Sequence, residues 1–144
     1  MKNLEKLTPQ EKEMLFMFPA YISLLAINRN GKPDKTELEE AIRFSHVKTF
    51  SSDPLLYDFY KEADRVFADN LSRLDKSLPA EKEERETAIK KELAKLEPIL
   101  HKLGNAYSVI LRKSMKSFKD HVSRAHHSIL ESLVFPVPIK GLTD

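Results

Sequence analysis

A chain of 144 residues is the size of one domain, and such a chain buries about two-thirds of its unfolded surface, so a core forms without staples. Cysteine is absent, which excludes disulfides, thiolate metal sites and a cysteine nucleophile. The 24 Lys and Arg residues nearly balance the 22 Asp and Glu, leaving a formal charge of +2, too even to argue for nucleic acid or an acidic membrane as partner.

Only three glycines occur, and the chain is rich in Lys, Glu and Leu, which favours helix throughout. The opening Met1-Lys2-Asn3-Leu4-Glu5-Lys6 lacks the apolar run of a secretory signal, so a cytoplasmic location is expected. The most apolar stretch, Met14 to Ile27, would rise about 21 Å as a helix, short of a roughly 30 Å hydrocarbon core. It reads as a buried central helix and not as a membrane span.

The first helix is expected over 8–27. Thr8 supplies a cap, Pro9 suits the first helical position, and Glu11 completes a capping box. Pro19 removes a backbone donor inside it and predicts a kink. Apolar residues on every side require other helices to enclose it. Asn28-Arg29-Asn30-Gly31-Lys32-Pro33 is then a turn, and Asp34 with Glu37 forms the cap and box of a second helix over 34–49. Leu38, Ala41, Ile42 and Ser45 mark its inner face.

Ser51-Ser52-Asp53-Pro54 starts a third helix over 54–76, striped by Leu56, Phe59, Ala63, Val66, Asn70 and Leu74. Ser77 to Glu81 opens a fourth over 79–103. Its charged stretch Glu81 to Glu86 is expected to project into solvent, and its apolar stripe runs from Ile89 through Leu93, Leu96, Leu100 and Leu103, with a second kink at Pro98. Gly104 ends it. A fifth and longest helix over 106–134 carries Tyr107, Leu111, Met115, Phe118, Val122, Ala125, Ile129 and Leu133 on one side. Pro136 and Pro138 make 135–144 an extended tail, apolar enough in Phe-Pro-Val-Pro-Ile to dock on the body or on a partner. The reading is an all-α, single-domain bundle of about five helices.

Chemistry is sparse. Gly31, Gly104 and Gly141 are too far apart for a phosphate loop. The residues three before each histidine are Arg43, Pro98, Phe118, Ser123 and Arg124, so the Glu-x-x-His of di-iron bundles is absent. His121, His126 and His127 sit at spacings that point their rings apart. A Ser-His-Asp triad assembled in the fold stays open, without a local elbow to favour it. On the last helix Arg112, Lys113, Lys116, Lys119 and Arg124 form a basic face. Asp120 lies within it and no aromatics are interleaved, so a solvated face is favoured over phosphate contact.

The loop from Ala26 to Glu37 has the outline of a helix-loop-helix calcium site. Asn28, Asn30, Gly31, Asp34 and Glu37 fall at its third, fifth, sixth, ninth and twelfth positions, which converge on one hard cation. Ala26 fills the first ligand position, and two carboxylates make at most a weak site for calcium or magnesium. Helix capping alone accounts for Gly31, Asp34 and Glu37 and is the favoured reading.

At this loop the sequence resembles the TerB-like (tellurite-resistance B) family of all-helical domains. In that family an apolar helix precedes Ala-Asp-Gly-x-apolar-x-x-x-Glu. Here Leu24-Leu25-Ala26-Ile27 precedes Asn30-Gly31, and Glu37 stands at the glutamate, while Asn30, Lys32 and Pro33 depart from the pattern. Residues 14–45 carry the likeness. Asp75 to Glu81 resembles a second half-motif without its glycine, and Leu103-Gly104 the family's closing Leu-Gly. The resemblance implies an intracellular binding module linked to metal or stress responses, with a metal role carried over only to Glu37.

Three readings follow. The favoured one is a non-enzymatic protein-interaction or scaffold module with a protein partner and no resident cofactor, a homo-oligomer being left open. The second is a weak divalent-cation sensor through Asn28, Asn30, Asp34 and Glu37. The third is an enzyme whose site assembles only in the fold.

Overall fold

The computed structural model describes residues 3–27, 35–51 and 53–134. These residues form seven α-helices and two single 3-10 turns, with no strand among them. The helices are α1 (Pro9–Phe16), α2 (Phe18–Ile27), α3 (Lys35–Ser51), α4 (Tyr57–Ser77), α5 (Lys82–Ala94), α6 (Glu97–Lys102) and α7 (Asn105–Val134), with the 3-10 turns at Leu4–Lys6 and Pro54–Leu56. None of the described helices is long and apolar enough to cross a membrane. The tail 135–144 lies outside the described residues.

Two of the rods expected from the sequence are each broken in two, for the same reason. Pro19 has no N–H to give the carbonyl of Leu15, and its ring crowds that carbonyl. The chain tightens just before it, with the Met17 amide bonding back to the Met14 carbonyl at 3.2 Å, and α2 restarts at Phe18. Pro98 repeats this. The Lys95 and Leu96 amides bond three residues back, to Glu92 and Leu93, and α6 restarts at Glu97. The helix breaks therefore fall where the kinks were expected, with Met17, Lys95 and Leu96 keeping right-handed helical backbone.

Local signals hold at several starts. The Thr8 hydroxyl accepts from the Glu11 amide at 3.2 Å, and the Glu11 carboxylate accepts from the Thr8 amide at 2.9 Å, closing the box. The Asp53 carboxylate accepts from Leu55 and starts the 3-10 turn that precedes α4. α5 begins three residues later than expected, because Glu81 is its cap, accepting from the Glu84 amide at 2.7 Å. Gly104 turns α6 into α7 with φ +92°, a backbone conformation that costs other residues about 1–2 kcal/mol.

Nine of the ten residues of α2 are buried, Leu25 excepted. α2 packs against α7, α4, α5 and α3, and α3 packs on both α4 and α7. Phe59, Tyr60, Phe67 and Phe118 are among the largest fully buried side chains, and Phe67 meets Phe118 edge-on at 6.1 Å. Each such ring contributes about 1.5–3 kcal/mol on leaving water. The buried face of α4 is broader than the stripe read from the sequence: Tyr60, Phe67 and Leu71 join it, while Val66 is only half-buried. On α7, Tyr107, Leu111, Met115, Phe118 and Val122 are buried as one stripe.

Several polar groups inside this core are matched to partners. The Ser23 hydroxyl donates to the Pro19 carbonyl at 2.8 Å. Tyr60 and Ser114 share a hydrogen bond of 2.5 Å between α4 and α7. Burial raises the phenols of Tyr60 and Tyr107, the latter to about 12 with a smaller contribution from Asp58.

The charged opening of α5 does not wholly face solvent. Arg85 is fully buried. Its guanidinium donates to the Asp75 carboxylate at 2.5 Å and to the Pro79 carbonyl at 3.2 Å, fastening the α4–α5 corner. The Asp75 carbonyl adds a longer bond at 3.4 Å. Nε has no hydrogen-bond partner among the described residues. The sequence could not show this, since an arginine among five charged neighbours has the local signature of a surface residue.

Removing one member of a buried ion pair strands the other charge. Asp75→Ala or Arg85→Ala is expected to lower the unfolding free energy by about 3–5 kcal/mol in urea titrations, whereas Asp75→Leu with Arg85→Met recovers most of the loss. A double variant that costs the sum of the two singles would contradict a coupled pair. The buried phenols predict a second result. A folded-state pKa above the unfolded value of about 10 means that the unfolded chain holds fewer protons above that pH. The stabilisation is complete below pH 10 and is lost as the pH climbs, through about 12 for Tyr107. Melting temperature should therefore fall more steeply between pH 9.5 and about 12 in the wild type than in a Tyr60→Phe, Tyr107→Phe variant.

Candidate interaction groove

The break at Met17 separates two helices of different character. α2 enters the core, while α1 lies on α4 with one side toward solvent. Pro9, Lys12, Glu13 and Phe16 stand at the zero, three, four and seven spacing of a single helical ridge. Val66, Asn70 and Arg73 form the matching ridge on α4, with Arg65 beside them. The two ridges line an open groove of about 420 Å³.

Its floor is apolar. The Phe16 and Val66 side chains are both half-buried, and the Phe16 ring rests against Phe59 in the core at 6.1 Å between centroids. Its walls are rich in donors. Arg73 donates to the Asn70 carbonyl oxygen at 2.7 Å, which fixes the orientation of the amide. Asn70 is 5% exposed, and its amide nitrogen makes no hydrogen bond among the described residues, so its N–H groups are left to the groove. Arg65 is held by Glu62 one turn earlier, at 3.0 Å. Lys12 and Arg73 have no carboxylate partner among the described residues, and Glu13 is the one acid lining the groove.

A larger groove, about 750 Å³, lies between α6 and α7 beside Gly104 and His101. Its arginine is already spent internally. Arg112 forks onto the Glu97 carboxylate at 2.9 and 2.8 Å, and its Nε donates to Ser108 at 3.1 Å. The guanidinium in turn holds the Glu97 carboxyl below its ordinary range. A partner there would have to displace a bidentate pair, so volume alone does not decide between the two grooves.

The remaining sequence candidates separate as follows. Asn28, Asn30 and Asp34, with Gly31, lie outside the described residues. Glu37 stands on α3, but its side chain is not among those described. Among the described residues no group of three or more His, Asp or Glu could hold a metal ion. Of the basic face, Arg112 is drawn onto Glu97, Lys113 and Lys116 are exposed, and Lys119 is half-buried. The Arg124, His126 and His127 side chains lie outside the description, and His121 is half-buried and engaged.

The fold does bring a serine, a histidine and an aspartate together. The Ser45 hydroxyl donates to one oxygen of Asp64 at 3.1 Å, and His46 Nδ1 lies 2.8 Å from the other. Both groups are bound to the carboxylate, so this is not the order of a catalytic relay, in which the imidazole stands between hydroxyl and carboxylate. It ties α3 to α4.

The groove is not apparent from the sequence, where apolar residues on every side of the first helix imply full enclosure. The signal that could have found it is the ridge Pro9, Lys12, Glu13 and Phe16, whose two charges oppose burial of that side. No protein-family model matches the chain, no curated protein is similar to it, and no solved structure matches it.

Proposed function

We propose that this protein is a non-enzymatic protein-interaction module of the TerB-like kind, built round a buried apolar helix and a long C-terminal helix, and that it works by holding a protein partner in the α1–α4 groove. The observation that carries this reading is the combination at one place of a half-buried aromatic floor and a rim of unspent donors. Apolar centres ringed by polar groups, with aromatic and arginine side chains prominent, are the anatomy of protein interfaces. The polar clusters elsewhere support it by contrast. Arg85, Tyr60, Ser45 and Arg112 all bind groups of this chain.

The test is site-specific photo-crosslinking in the source cell with the full chain. A crosslinking phenylalanine analogue in place of Val66 is expected to yield one discrete protein adduct. The same analogue in place of Lys90, an exposed residue of α5, should not yield it. No adduct from Val66, or the same adduct from both positions, would contradict the proposal.

A further inference from the structure

The groove specifies more than a generic partner. Its two ridges have the same length: Pro9 to Phe16 and Val66 to Arg73 are each separated by seven positions, about 10 Å of helix. That is also the distance between the first and last apolar anchors of a helix presenting positions i, i+3 or i+4, and i+7. The apolar members of the two ridges, Phe16 and Val66, form the floor and take apolar side chains.

Charge then selects among such helices. Lys12, Arg65 and Arg73 face one acid, Glu13, and among the described residues only Arg65 has a carboxylate partner. The nearly buried Asn70 adds two N–H donors, with its carbonyl oxygen already taken by Arg73. Donors therefore outnumber acceptors along the whole wall, and an incoming basic segment would meet cations and unpaired N–H groups. An incoming carboxylate meets what it lacks. We propose that the groove receives an acidic amphipathic helix of a partner protein, its apolar row on Phe16 and Val66 and its carboxylates on Lys12, Arg73 and the Asn70 amide. This inference rests on the groove being the interaction surface.

The experiment displays a library of random peptides about 14 residues long, four helical turns, to the full-length chain. Selected peptides are then measured against the wild type and against Lys12→Glu with Arg73→Glu. Lys12→Gln with Arg73→Gln serves as a milder pair, and circular dichroism confirms that each variant is folded. The expected result is enrichment of Asp and Glu beside apolar residues at helical spacing. Affinity should fall at least about tenfold in the Glu pair, less in the Gln pair, and weaken as salt rises from about 50 to 300 mM. Amide shifts on binding should map to α1 and the second half of α4. Selected peptides that map to this groove but are neutral or basic, or that ignore both charge changes, would overturn the acidic-partner inference and leave the interaction reading standing. Peptides that map elsewhere, or none selected at all, would overturn both.

Discussion

A helix that is apolar on every side has to be covered on every side, and that requirement organises the molecule. α2 buries nine of its ten residues, and four other helices supply the cover. Each covering helix must then present a face broad enough to meet α2 and its neighbours. α4 does so by adding Tyr60, Phe67 and Leu71 to its expected stripe. The hydroxyl carried in by Tyr60 meets Ser114 on α7, so aromatic burial leaves no stranded polar group there.

The two interior prolines decide which parts of the chain escape burial. A continuous helix over 8–27 would carry α1 into the same enclosure as α2. Because Pro19 withholds one hydrogen bond and crowds the carbonyl of Leu15, the helix breaks at Met17, and α1 lies on α4 with a ridge lining the groove. Lys12 and Glu13 stay in reach of water for that reason, and Phe16 is left half-buried between core and solvent.

Charge is used in two opposite ways. At the α4–α5 corner, Arg85 and Asp75 are taken out of water, and the pair fixes a geometry at a cost in desolvation that apolar residues would avoid. In the groove, Lys12 and Arg73 line an open surface with no carboxylate partner among the described residues, where they cost the fold little. The same residue type, arginine, is a bolt at position 85 and a contact at position 73. Their environments differ in whether a carboxylate and a backbone carbonyl converge on the guanidinium.

The all-helical class, the Thr8–Glu11 box, the Gly104 turn and the buried stripe Tyr107 to Val122 were legible in the sequence, because spacing, capping and positive φ are properties of neighbours along the chain. The groove, the burial of Arg85 and the joining of Ser45 and His46 on one carboxylate were not. Each depends on residues far apart in sequence meeting in space: Phe16 with Val66, Arg85 with Pro79 and Asp75 across a corner, Asp64 with the facing helix. Local pattern says which side of a helix prefers to leave water. Only tertiary packing decides which of those sides finds a cover and which is left open for another molecule.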